Sequence, residues 1–96
     1  MLLERSVNKL VDISPTIKVK KDFSERFIKN LVEETDKLKS LISLEKVGSR
    51  RVNAKSILGI LSLNIKTGDD IKIICNHPFE GQVEADGKKI LELIQN

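Results

Sequence analysis

The sequence predicts an α+β fold of the open-faced sandwich kind. An antiparallel four-stranded sheet carries three helices on one face, in the order βαββαβα. Three observations carry this expectation. Thr16-Ile17-Lys18-Val19-Lys20 alternates apolar and basic residues, the mark of a half-buried strand. From about residue 24 the period becomes helical, with Phe27, Ile28, Leu31, Val32, Thr35 and Leu38 on one face. Leu41–Lys46 and Arg51–Ala54 then flank Val47-Gly48-Ser49-Arg50, and the pair reads as a hairpin in which Gly48 is free to take a positive φ.

Residues 1–15 stay open between two readings. Leu3, Val7, Leu10 and Val11 recur at helical spacing, while Val7, Lys9, Val11 and Ile13 alternate as a strand would. The stretch is set apart as an N-terminal extension of unassigned role, with residues 16–96 as the domain. In the first helix, Glu25, Lys29, Glu33 and Lys37 alternate in sign at four-residue spacing on the outer face. Asp22 or Ser24 is expected to cap its start, since a short side-chain oxygen can accept from an orphan N–H of the first turn.

Ser56 is a suitable cap for a second, shorter helix holding Ile57, Leu58, Ile60, Leu61 and Leu63. That stretch is too apolar for an ordinary surface helix, so one side is expected to be uncovered or to face a partner. Lys66–Asp70 reads as a turn and Ile71–Cys75 as a well-buried strand, broken by Asn76-His77-Pro78. Val83, Gly87, Ile90, Leu91 and Ile94 share one face of a C-terminal helix. Gly87 weakens that helix by about 1 kcal/mol, so its start could be as late as Asp86.

Composition narrows the function classes. The chain has 96 residues, enough for one modest core. With 3 Phe and neither Trp nor Tyr, that core is aliphatic. The 17 basic and 14 acidic residues leave +3, a mixed-charge surface without the basic excess or aromatic set of a nucleic-acid binder. Cys75 and His77 are the sole residues of their types, so neither an internal disulfide framework nor a four-ligand zinc site is available. No apolar run reaches the roughly 18–20 residues of a membrane span, and the first residues lack the pattern of a secretory signal. A cytoplasmic protein without a cofactor is expected.

Val52-Asn53-Ala54-Lys55-Ser56-Ile57-Leu58-Gly59-Ile60-Leu61-Ser62-Leu63, followed by Ile65-Lys66-Thr67-Gly68-Asp69, carries a resemblance. The V-N-x-K-S-I-x-G-x-x-S-L pattern resembles the histidine-containing phosphocarrier (HPr) family of the bacterial sugar phosphotransferase system, in its Gram-positive form. The resemblance runs from about Thr16 to the C-terminus, with the hairpin turn at Ser49-Arg50-Arg51 one residue longer than the family's. It implies an HPr-type open-faced sandwich and a regulatory phosphorylation at Ser56 by an HPr-type serine kinase. It also implies an exposed docking patch at Ile57, Leu58 and Leu61, which with Lys55 would meet a catabolite-control transcriptional regulator.

One motif departs from the family. Its G-[IL]-H-A-R-P-A motif, whose His carries the phosphate, falls over Asp22-Phe23-Ser24-Glu25-Arg26-Phe27-Ile28. Arg26 matches, but the Gly is Asp22, the Pro is Phe27 and the His is Ser24. A serine phosphoester lacks the transfer potential of phosphohistidine, so the carrier reaction is expected to be absent. The general phosphotransferase enzyme would then be at most a partner without phosphotransfer. This logic is similar to that of the catabolite-repression HPr-like branch, and implies a non-enzymatic regulatory protein.

Each residue also has a plainer reading. Ser56 and Ser24 serve as helix caps, Ile57, Leu58 and Leu61 as core, and Arg26 as an ordinary surface cation. His77 reads as an exposed loop residue and Cys75 as a small buried one. Two alternative functions stand beside the regulatory one: a phosphocarrier with an unorthodox acceptor, and a diverged binding module that is never phosphorylated.

Overall fold

A strand forms wherever alternating apolar side chains can share one buried face, and here five such segments join one antiparallel sheet. The structure is a computed structural model and describes residues 11–95. The strands are β1 (Val11–Ile13), β2 (Thr16–Lys18), β3 (Leu41–Lys46), β4 (Arg51–Asn53) and β5 (Asp70–His77). The helices are α1 (Glu25–Asp36), α2 (Ile57–Leu63) and α3 (Glu80–Gln95).

The expected count of four strands becomes five, for a local reason. β1 and β2 both pair with β5, Ile13 opposite Cys75 and Thr16 opposite Lys72. Ser14-Pro15 separates them, and Pro15 has no N–H to give to a ladder. Its carbonyl still accepts from Ile73 N at 2.9 Å, so the two segments form one interrupted edge. The sheet therefore has four positions, in the order β1/β2–β5–β3–β4. For Val11–Ile13 the choice between helix and strand falls to strand. Leu3, Val7 and Leu10 lie outside the described residues.

One face of this sheet builds the core. Ile42 and Leu44 of β3 and Ile71, Ile73 and Cys75 of β5 meet Ile28 and Leu31 of α1, Ile60 and Leu63 of α2, and Val83, Ile90 and Ile94 of α3. Their near-complete burial is the main stabilising term, about 1.5–3 kcal/mol for each large side chain. Ile74 points the other way and is also buried, outside this cluster.

The helical period of residues 27–38 translates directly into contacts. Ile28, Leu31 and Thr35 are buried, while Phe27, Val32 and Leu38 are half-buried against the core. On the outer face Lys29 pairs with Glu25 at 3.7 Å, but Lys37 pairs with Glu34 at 3.0 Å and not with Glu33. These exposed pairs contribute little.

Two boundaries differ from expectation. β5 continues through Asn76 and His77, because both lie opposite β1 and gain ladder bonds there. α3 begins at Glu80, well before Gly87. The glycine is buried mid-helix, and Asp86 beside it is 3% exposed. Asp86 accepts from Ser40 N at 2.8 Å and Lys39 N at 3.2 Å, and from Gln82 Nε2 at 2.9 Å, tying α3 to the α1–β3 connection.

Candidate functional site

The site that the serine motif points to is built at the start of α2. Asn53 ends β4 and turns the chain. Its side chain accepts from Lys55 N at 2.8 Å, and its carbonyl from Ser56 N at 3.0 Å. Ser56 is then extended, at φ −105 and ψ 108, which lets its Oγ accept from Gly59 N at 3.0 Å. This is N-cap geometry. Ser56 is half-buried, and Lys55 beside it is exposed.

Beyond the cap, α2 divides its apolar residues between two sides. Ile60 and Leu63 enter the core, whereas Leu58 is 79% exposed and Leu61 is 37% exposed. Ile57 departs from the expected patch: it is half-buried and rests against the core. A seven-residue helix makes two turns, and its first residue swings toward the sheet. The exposed apolar surface is thus narrower than the sequence implies, centred on Leu58 with Leu61 at its margin.

The far end of α2 is held by residues that local sequence does not announce. Asn64 takes the left-handed conformation at φ 51 and closes the helix. Lys46 of β3 donates to the Leu63 and Asn64 carbonyls at 3.3 and 3.2 Å, and pairs with Asp69 at 3.2 Å. It places a cation at the negative end of the helix, which has no basic residue in its own last turn. Arg50, in the turn between β3 and β4, donates to Ser62 Oγ, which donates to Gly59 O at 2.6 Å.

The second candidate position is the start of α1. Ser24, not Asp22, is the cap, and its Oγ accepts from Phe27 N at 3.1 Å. Asp22 instead reaches the turn after α2, accepting from Thr67 N at 2.7 Å and Thr67 Oγ1 at 2.9 Å. The Thr67 backbone bond, then its hydroxyl, hold the Asp22 carboxyl below the usual aspartate range, with Lys66 adding to the effect. Phe23 N donates to Ile65 O at 3.1 Å beside it.

Ser24 lines a cavity of about 130 Å³ with Lys21, Asp22, Phe23, Phe27 and Ile94. Arg26 is not on its wall. It lies in a separate shallow groove with Glu25, Lys29, Asn30 and Glu33. Ser24 and Arg26 therefore face different surroundings.

A family model described as the phosphotransferase-system HPr component phosphorylation site matches residues 11–95. The chain belongs to the HPr family. The HPr-like protein Crh of Halalkalibacterium halodurans is 34% identical over 85% of this chain and 92% of its own length. Among solved structures, the phosphocarrier protein HPr of Bacillus anthracis superposes with a TM-score of 0.71 at 29% identity, covering 91% of this chain and 99% of its own. The Bacillus subtilis catabolite repression protein Crh superposes with a TM-score of 0.64 at 29% identity, covering 82% of this chain and 84% of its own.

Within this HPr-family chain, His77 is poorly placed to substitute for a carrier histidine near Ser24. It ends β5, whereas Asp22 is tied to Thr67 near the strand's start. At about 3.3 Å per residue the length of β5 puts the two ends roughly 20 Å apart. His77 is half-buried, and its Nδ1 accepts from Phe79 N at 3.0 Å. Cys75 is fully buried, and burial pushes its thiol pKa up, which keeps it unreactive. Among the described residues no group of three or more His, Cys, Asp or Glu side chains could hold a metal ion.

Proposed function

We propose that this HPr-family protein is a non-catalytic regulator of bacterial carbon metabolism, switched by phosphorylation of Ser56. An HPr-type serine kinase would transfer phosphate from ATP to the Ser56 hydroxyl. The phosphoserine, with Lys55 and the Leu58–Leu61 surface, would then bind a catabolite-control transcriptional regulator. The cytoplasm is the corresponding compartment.

The observation that carries this reading is the pairing of Ser56 Oγ, at the start of α2, with Leu58, which is 79% exposed two residues on. A phosphate there would add about two negative charges where a helix leaves N–H groups unpaired, so the fold would tolerate it. A partner with a basic group beside an apolar groove could read both features together. The similarity to proteins named Crh, one of them described as a catabolite repression protein, supports the same reading.

The phosphocarrier alternative lacks an acceptor. The carrier position is occupied by Ser24, whose hydroxyl is engaged as a cap. The test is mass spectrometry after incubation with ATP and an HPr-type serine kinase. Phosphate on Ser56 supports the proposal. Phosphate elsewhere or nowhere removes it and leaves a diverged binding module.

A further inference from the structure

Glycine is among the poorest helix formers, yet α2, only seven residues long, carries Gly59 in its first turn. The reason lies in what surrounds it. A Cβ at position 59 would stand 3.0 Å from Ser56 Oγ, 3.2 Å from Ser56 Cβ and 3.2 Å from Val52 Cβ. All three are tighter than ordinary van der Waals contact.

The neighbours differ in how they can yield. Val52 sits on β4, where Leu44 of β3 pairs with it, and its Cβ moves only with the strand. Ser56 Oγ is the free end of a short side chain and can turn. The two Cβ contacts need the chain to give by only a few tenths of an ångström, so the tightest crowding falls on the hydroxyl, rotating it away from the Gly59 N–H that now holds it at 3.0 Å.

We propose that Gly59 is a positioning residue for Ser56: by leaving that space empty it keeps the hydroxyl aimed and open as a phosphoryl acceptor. This rests on the reading of Ser56 given above and adds a second residue to it. In the transfer, a bond forms between Ser56 Oγ and the γ-phosphorus of ATP as the bond from that phosphorus to the β–γ bridging oxygen breaks. ADP leaves, and the hydroxyl proton passes to a base of the kinase. The acceptor oxygen must approach in line, so a displaced hydroxyl slows the chemical step more than it weakens docking.

The experiment compares the native protein, Gly59→Ala and Gly81→Ala as substrates of an HPr-type serine kinase with ATP. Position 81 is a fair control because a Cβ there meets nothing within 4 Å. Initial rates against protein concentration separate kcat from KM, and circular dichroism melts follow the fold. Gly59→Ala is expected to stay folded and to melt within a few degrees of the native protein, alanine's helix propensity offsetting the lost cap bond. Its KM should stay within about twofold, because Leu58 and Leu61 are untouched. Its kcat is expected to fall about tenfold or more. Gly81→Ala should match the native protein in kcat and KM and melt at or slightly above it.

An unchanged kcat for Gly59→Ala overturns the inference. So does a change confined to KM, or loss of the fold, since the strain would then act on docking or on Val52 and not through Ser56. Failure of the kinase to label native Ser56 is a separate result: it removes the reading of the serine itself, and this inference with it.

Discussion

Gly87 of α3 lies so close to Ile13 of β1 that a Cβ at position 87 would run into the Ile13 Cδ1. The glycine that weakens the helix locally leaves room for the end of the Ile13 side chain where α3 packs on β1. That Cδ1 methyl is the free end of a half-buried side chain and can turn aside. Gly87→Ala should therefore change stability by no more than about 1 kcal/mol, alanine's better helix propensity offsetting the cost of repacking Ile13. Urea unfolding monitored by circular dichroism reads this directly. A loss well above about 1 kcal/mol would mean that the Ile13 side chain is held and cannot turn aside.

The register of α1 is tested by a pair of substitutions. Leu31 is 1% exposed, so Leu31→Ala should cost about 2–5 kcal/mol. Glu33 is exposed, and Glu33→Ala should change stability by no more than about 0.5 kcal/mol. Equal effects in the same unfolding assay would mean a different helix face and would displace Ser24 from the cap.

Asp86 predicts how the protein responds to acid. Burial alone raises its pKa, but the hydrogen bonds outweigh that and leave it below the usual aspartate value. The Ser40 N–H, Gln82 and the Lys39 N–H supply them. The Ser40 hydroxyl acts on the carboxylate as well, without a hydrogen bond of normal geometry. The folded protein thus binds this proton at lower pH than the unfolded chain does. The stabilisation is full above the unfolded value of about 3.9 and is lost as pH falls through the folded one. Asp22 and Asp69 are lowered in the same way by bonds from Thr67 and from the Lys66 N–H. Urea midpoints should fall as pH drops below about 4, and Asp86→Asn should flatten part of that slope. An unaltered slope would refute the role assigned to this carboxylate.

The carrier reaction is expected to be absent. Incubation with phosphoenolpyruvate and the general phosphotransferase enzyme should leave the protein unlabelled, and acid-labile phosphate on His77 would contradict this. Ser24→His should restore at most partial labelling. Arg26 does not share the Ser24 cavity, and the Asp22 carboxylate stays near it, fixed by Thr67. Full restoration would show that neither feature matters.

Much of this protein is written in local pattern. The period of residues 27–38, the alternation at Thr16–Lys20 and the Gly48 turn each depend on neighbours a few residues away, and each element stands near where the pattern predicts it, although β2 stops at Lys18 and α1 at Asp36. The serine motif was legible for the same reason: Ser56, Gly59 and Leu58 lie within a single turn of chain. The α+β fold class and membership of the HPr family follow from such features.

What only the tertiary structure decided involves residues far apart in sequence. Asp22 could cap a helix as readily as Ser24 does; its choice of Thr67, across 45 positions, depends on where the α2–β5 turn comes to rest. Gly87 reads as a helix weakness until Ile13 is set against it. Lys46 becomes a helix cap only because β3 runs beside the end of α2. Ile57 turns toward the core while Leu58 is left to solvent, though the two are adjacent and equally apolar. Local preferences choose the element, because each is decided by backbone and side-chain geometry within a turn. Which face is covered, and which polar group finds which partner, is decided by packing one element against another.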